Sequence, residues 1–329
     1  MTKFIKILIG GTLLIVITSA LAFNNYISNF NNWTITKNKN TLNEISWAEF
    51  RWTNDTLNGK YFTKTSMSIP CKIDDLPYNF TFQFDLGADL TQLYENSLKS
   101  FVNLNPDLSN KIKIIKKGVF MKTSKKYYED LTLSFGDYKA KNPTAYLRSE
   151  YGDKFDTNNI TKEDTFHLGS IGADLFQKKI LIIDYPNQRF AICDEVPNQF
   201  QNNLINIELD KYGRVILPFK LKQNNYKILF DNGSSLFPLI TTTANRAKFS
   251  NDTIIDSIET SSWGHKHFVD SRIIKDTFEL GGRKFSNVKV YENHSLYGID
   301  YSIDGVTGNS LFWNNTIVID FKNKRFGVN

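Results

Sequence analysis

Two aspartates share their surroundings. Asp85 follows the apolar run Phe82-Gln83-Phe84 and opens Asp85-Leu86-Gly87-Ala88-Asp89. Asp231 follows Ile228-Leu229-Phe230 and opens Asp231-Asn232-Gly233-Ser234-Ser235. Asp-x-Gly occurs nowhere else in the 329 residues. Two carboxylates brought within reach of each other do not both stay ionised: crowding raises one pKa, so one keeps a proton while the other is a base. Such a pair can hold one water, with the ionised member taking its proton and the neutral member donating to a substrate carbonyl. Because the two titrate together, the sequence assigns neither as acid or base. Gly87 and Gly233 let each loop approach the opposite carboxylate without a Cβ in the way. A lone Asp-x-Gly is ordinarily a turn. Recurrence in a matched setting is what gives these two weight.

That setting is an internal repeat, which takes precedence over any choice of fold. Gly169-Ser170-Ile171-Gly172-Ala173-Asp174-Leu175-Phe176, with Ile182-Ile183-Asp184 and Asn187-Gln188-Arg189-Phe190 beyond it, returns without a gap 136 residues later. The later copy is Gly305-Val306-Thr307-Gly308-Asn309-Ser310-Leu311-Phe312, followed by Val318-Ile319-Asp320 and Asn323-Lys324-Arg325-Phe326. The segments before each aspartate align as well, Ile69-Pro70-Cys71-Lys72-Ile73 with Leu217-Pro218-Phe219-Lys220-Leu221.

At these residues the chain resembles a known family. Asp85-Leu86-Gly87-Ala88-Asp89 is similar to the Asp-Thr-Gly-Ala-Asp of retroviral-type aspartic proteases, and Asp231-Asn232-Gly233-Ser234-Ser235 to the Asp-Thr-Gly-Ser-Ser of pepsins. The Gly-x-x-Gly-x-x-Leu-Phe elements resemble the small-residue loop that buttresses the active site late in each lobe. The resemblance spans residues 45–329. It implies an all-β fold of two related pepsin-like β-barrel lobes around a cleft, a catalytic pair Asp85 and Asp231, and an extended peptide or unfolded protein as substrate. It implies neither cofactor nor metal, and no dimer is needed, because one chain supplies both aspartates. Active members carry Thr or Ser at the second motif position, where the hydroxyl bonds to the opposite loop. Leu86 cannot make that bond, and Asn232 can make only a different version through its amide. Ala88 is normal for the retroviral type, while Ser234 can hydrogen-bond its own aspartate. The alternative function is a catalytically silent, peptide-binding or structural protein on the same scaffold.

Composition narrows the field. The net charge of +6 comes from scattered lysines, with no basic stripe interleaved with aromatics, so nucleic acid is not an expected partner. No His-Glu-x-x-His, paired Cys-x-x-Cys or Gly-x-Ser-x-Gly occurs. His265 and His267 alternate on a strand and read as exposed hairpin residues. Cys71 and Cys193 both fall in the first lobe and are candidates for a disulfide worth about 4–5 kcal/mol, the other reading being two buried thiols.

In chain order, residues 7–23 carry no charge and follow Lys3 and Lys6. Their length lies between a signal-peptide core and a spanning helix. Residues 1–23 are therefore expected to be a signal peptide or membrane anchor, which would place the remainder outside the cytoplasm. Residues 24–44 read as a polar spacer. Alternating short strands with turn signals predict a first lobe over 45–193, a linker over 194–203 and a second lobe over 204–329. Each lobe offers a hairpin that could cover the cleft, with Gly118 and Phe120 as flap candidates in the first and Trp263 and Gly264 in the second.

Overall fold

The computed structural model describes residues 30, 32–37, 45–115, 125–161, 163–294 and 302–329. The chain is mostly β, with a few short helices, and its described strands form three sheets of nine, six and ten strands.

Alternation builds the strand that delivers the first aspartate. In Asn79–Phe84, the side chains of Phe80, Phe82 and Phe84 are buried, and Thr81 and Gln83 between them face outward. This strand pairs antiparallel with Lys60–Ile73, Phe82 opposite Ile69, and parallel with Thr165–Ile171, Phe82 opposite Gly169. Thr165–Ile171 pairs on its other edge with Gln92–Tyr94. The second lobe repeats the arrangement. Asn224–Phe230 pairs antiparallel with Val215–Leu221 and parallel with Gly305–Thr307, and the latter also pairs with Ile240–Thr242. In each lobe a late strand is thus wedged between the strand before the aspartate and the strand after it.

The wedge explains the first glycine of each repeat. Gly169 sits opposite Phe82 and Gly305 opposite Ile228, each three residues before its aspartate. A Cβ at Gly169 would lie 2.1 Å from the Gln92 carbonyl oxygen, and one at Gly305 would lie 2.6 Å from that of Ile240. Any side chain at either place would push the flanking strands apart.

The six-stranded sheet joins the lobes. Ile180–Asp184 runs antiparallel to Thr316–Asp320 with Ile182 directly opposite Val318, its partner in the repeat. A local two-fold axis therefore passes between these residues. The outer strands obey it: Ala48–Glu49 lies on Arg189–Cys193 as Ile205–Asn206 lies on Arg325–Val328. The repeated Asp, Asn and Arg serve this sheet. Asp184 accepts from Asn187 and from Arg189 Nε at 2.7 Å, and Asp320 accepts from Asn323 and Arg325. Each set clamps its own hairpin turn.

One expectation changes, one alternative is decided and one lies out of reach. Cys71 and Cys193 are free: Cys71 lies in the nine-stranded sheet opposite Phe80, and Cys193 ends a strand of the six-stranded sheet opposite Ile180. Membership of one lobe did not put them on one sheet. Part of the expected spacer is ordered structure, because its apolar residues find a surface. Thr34–Lys37 adds a strand beside Tyr138–Arg148, Phe30 is buried against Tyr146, and Trp33 packs on the main core. The expected N-terminal hydrophobic helix, residues 1–23, lies outside the described residues. Among the described residues no helix is long and apolar enough to cross a membrane.

Candidate active site

The two aspartate loops are built by the same backbone bonds. Asp85 N–H donates to the Ile171 carbonyl and Asp231 N–H to the Thr307 carbonyl, both at 2.9 Å. Ala88 N–H then returns to the Asp85 carbonyl and Ser234 N–H to that of Asp231, both at 3.1 Å. The late strand of each lobe thus holds its aspartate, and a tight turn comes at once.

The glycines record how closely the loops approach. A Cβ on Gly87 would fall 2.3 Å from Asp231 Cγ, and a Cβ on Gly233 would fall 2.7 Å from Asp85 Cγ. Each glycine of one lobe therefore lies against the carboxylate of the other. Asp85 Cγ and Asp231 Oδ1 lie 2.7 and 3.0 Å from that same Cβ position on Gly233, so the carboxyls are neighbours, and Asp85 is only 7% exposed. Burial, and then the charge of Asp231 and the hydrogen bond to it, hold the Asp85 carboxyl well above the usual carboxylate range.

Side chains break the symmetry. Asp231 Oδ1 accepts from Gly233 N–H at 2.9 Å, and its Oδ2 accepts from the Ser234 hydroxyl at 2.8 Å. Ala88, at the matching place in lobe one, has no hydroxyl to offer Asp85. Across the interface, Leu86 N–H donates to Asn232 Oδ1 at 2.5 Å, while the Leu86 side chain is fully buried in the core. The Asn232 amide nitrogen faces Met67 Sδ. Asn309 Nδ2 donates to the Asn232 carbonyl at 3.0 Å and to Ser235 Oγ at 3.1 Å, and its own oxygen accepts from the Tyr185 hydroxyl at 2.6 Å. A buried polar chain of Tyr185, Asn309, Asn232 and the Leu86 amide therefore ties the loops from beneath. Every link is satisfied, as a buried network requires.

Two further residues brace the first loop. Arg214, buried in lobe two, donates to the Gly87 carbonyl at 3.2 Å and pairs with Asp89 at 3.0 Å and Asp210 at 2.7 Å. Asp174 accepts from Thr91 N–H, from the Thr91 hydroxyl and from Trp33 Nε1, and the Thr91 hydroxyl oxygen accepts from Gly172 N–H. Burial pushes the Asp174 carboxyl up to about 6 despite these donors.

Above the carboxyls lies a cleft of about 720 Å³, lined by both aspartates, by both loops and by residues from both lobes. On one side, the hairpin of Arg51–Leu57 and Lys60–Ile73 crosses to lobe two. There Leu57 and Phe62 pack beside Ile216 and Phe237, and Lys60 pairs with Asp256 at 2.8 Å. Beside it, the hairpin of Asp256–Ser262 and His265–Ile274 turns at Trp263-Gly264, and Trp263 reaches lobe one. Gly118 and Phe120 lie outside the described residues. His265 and His267 occupy the second hairpin, and among the described residues no group of His, Cys, Asp and Glu is placed to hold a metal ion.

Asp85, Leu86, Gly87, Ala88, Asn232, Gly233 and Ser234, all singled out from sequence, meet at this one place. Met67, Tyr185, Arg214 and Asn309 were missed, since no local pattern marks a residue whose partner lies far along the chain. For Asn309 a signal existed: it is the polar member of a repeat pair whose other member is Ala173.

No protein-family model matches the chain, and no curated protein matches it. Among solved structures, it is similar to the crystal structure of aspartic proteinase from Irpex lacteus, at 11% identity and a TM-score of 0.47. That match covers 87% of this chain and 97% of the other.

Proposed function

We propose that this chain is a single-chain aspartic endopeptidase in which Asp85 and Asp231 act as one unit on a bound water. The observation that carries the reading is reciprocal: each loop glycine abuts the opposite aspartate, at a spacing no Cβ would permit. Asp85 is the more enclosed and keeps the shared proton. Asp231, whose oxygens already accept from Gly233 N–H and the Ser234 hydroxyl, is placed to act as the base. Asp231 takes a proton from water as the oxygen attacks a peptide carbonyl, and Asp85 donates to the developing oxyanion. An extended peptide would lie along the cleft, between the two crossing hairpins, held by backbone hydrogen bonds. The protein would act as a monomer. Its uncharged N-terminal stretch favours a site of action outside the cytoplasm, secreted or held at a membrane.

A second reading has one observation in its favour: Leu86 brings no hydroxyl to the interface between the loops. On that reading the scaffold binds peptides and cleaves none. Hydrolysis of an unstructured protein, measured from acid to neutral pH, separates the two. The endopeptidase reading expects cleavage that is fastest below neutral pH and falls at least about a thousandfold in Asp85→Asn and in Asp231→Asn. Absence of cleavage at every pH favours the silent scaffold.

A further inference from the structure

The lobe-one wall of the cleft carries two cations, Lys125 and Arg148. The strands Lys125–Phe135 and Tyr138–Arg148 are paired with Lys126 opposite Leu147. One residue further along this register, Lys125 comes opposite Arg148. Lys126 turns away to Glu95, and Leu147 is buried, so alternation sends Lys125 and Arg148 to the other face, where both line the cleft. Like charges facing each other across an antiparallel pair are unfavourable. Neither residue is offset by an ion pair among the described residues: Lys125 lies over the ring of Tyr146, and Arg148 lies over those of Tyr151 and Trp263.

None of the acidic groups lining the cleft pairs with these two cations. Asp89 is held by Arg214, Asp55 accepts from the Thr56 amide, and the dyad carboxyls hold each other. Arg148 is also positioned at a cost. Trp263 takes φ 51°, a backbone region that bulky residues avoid, and in that turn its ring sits 4.2 Å from the Arg148 guanidinium. A guanidinium stacked on aromatic rings keeps its N–H donors available at its edge. A planar fork with a second cation opposite suits a carboxylate.

We propose that Arg148 and Lys125 form a subsite for an acidic side chain of an extended peptide, with Trp263 and Tyr151 holding the guanidinium in place. The inference deepens the endopeptidase reading and rests on it for the cleavage of the bound peptide. Two arms keep the inference and that reading apart. Peptides identical except for Glu, Gln or Lys at one position, scanned along the length with amidated C-termini, are bound to Asp231→Asn protein and monitored by fluorescence anisotropy. The same peptides are given to wild-type protein for hydrolysis. At one position of the scan, Glu should bind about tenfold more tightly than Gln, with Lys weakest. In Arg148→Gln/Lys125→Gln that ratio should fall to about one, and in Arg148→Lys to an intermediate value. The last variant also serves if the double change prevents folding, which thermal unfolding would show.

Equal binding of Glu and Gln at every position, binding of no peptide, or a ratio that survives Arg148→Gln would overturn the subsite. So would a preference seen only when the C-terminus is left free, since the ligand would then be a terminal carboxylate. Hydrolysis without a preference for Glu removes the subsite and leaves the endopeptidase. A preference in binding without hydrolysis supports the subsite and removes the endopeptidase.

Discussion

The loop after Asp85 and the loop after Asp231 share their backbone bonds and differ in the side chains that steady them. Lobe two supplies the Ser234 hydroxyl, the Asn232 amide and Asn309 beneath it. Lobe one supplies apolar Leu86 and Ala88, and receives support from Arg214 of the other lobe. The duplicated backbone thus fixes where the carboxyls sit, while the side chains that touch the two loops directly come mainly from lobe two, with Tyr185, Thr91 and Asp174 of lobe one bracing from behind. Two-fold symmetry of position does not require symmetry of support.

The comparison can be broken most forcefully at Asn232. Asn232→Ala would leave the Leu86 N–H buried without an acceptor, and should cost about 2–3 kcal/mol of stability along with most of any hydrolytic rate. Leu86→Thr, the matching change in lobe one, should cost only about 1–2 kcal/mol through lost packing and a newly buried hydroxyl, with a smaller change in rate. Denaturant unfolding and turnover of both variants test the ranking. Equal costs would return the support to both lobes.

Titration sharpens the comparison next. The Asp85 pKa is raised in the folded state, so the folded chain binds this proton more tightly than the unfolded chain. Stability from this group is therefore present at low pH and is lost as pH rises from the unfolded carboxyl value toward the folded one. Asp85→Asn removes that loss. It should stabilise the protein by about 1–2 kcal/mol near pH 7, with the gain shrinking toward pH 4. Thermal unfolding at the two pH values is the measurement.

The smallest effect concerns Ser234. Its hydroxyl favours the ionised dyad, so Ser234→Ala should move the acid limb of the pH–rate profile upward by roughly half a unit to one unit. Ala88→Ser, which offers a hydroxyl to the other carboxyl, should move that limb less. Identical shifts would mean that the dyad does not distinguish its two sides.

Much of this architecture is legible in the sequence because it is written twice. Asp85 with Gly87, Asp231 with Gly233, and the wedged Gly169 and Gly305 all stand in repeated local patterns, and the structure gives each a steric reason. Arg214 and Tyr185 are not legible in that way, and Asn309 shows only as the polar member of its repeat pair. Their partners lie 127, 124 and 77 residues away, so the Arg214 and Tyr185 bonds exist only once the lobes have met and the Asn309 bond only once lobe two has folded. The spacer reading changes at Phe30, Trp33 and Ile35, which stand in no regular alternation with their polar neighbours and yet find a surface on lobe one. For the cysteines, sequence left a disulfide and two thiols open, and their places on two separate sheets leave them as thiols.

The central claim is that two lobes contribute one catalytic unit, and a double-mutant cycle on hydrolysis of an unstructured protein tests it most directly. With Asp85→Asn, Asp231→Asn and the double variant compared at the best pH, the double variant should be no slower than the slower single variant, because either change alone removes the shared-proton machinery. Losses that multiply, or a single variant that keeps near wild-type turnover, would contradict the account.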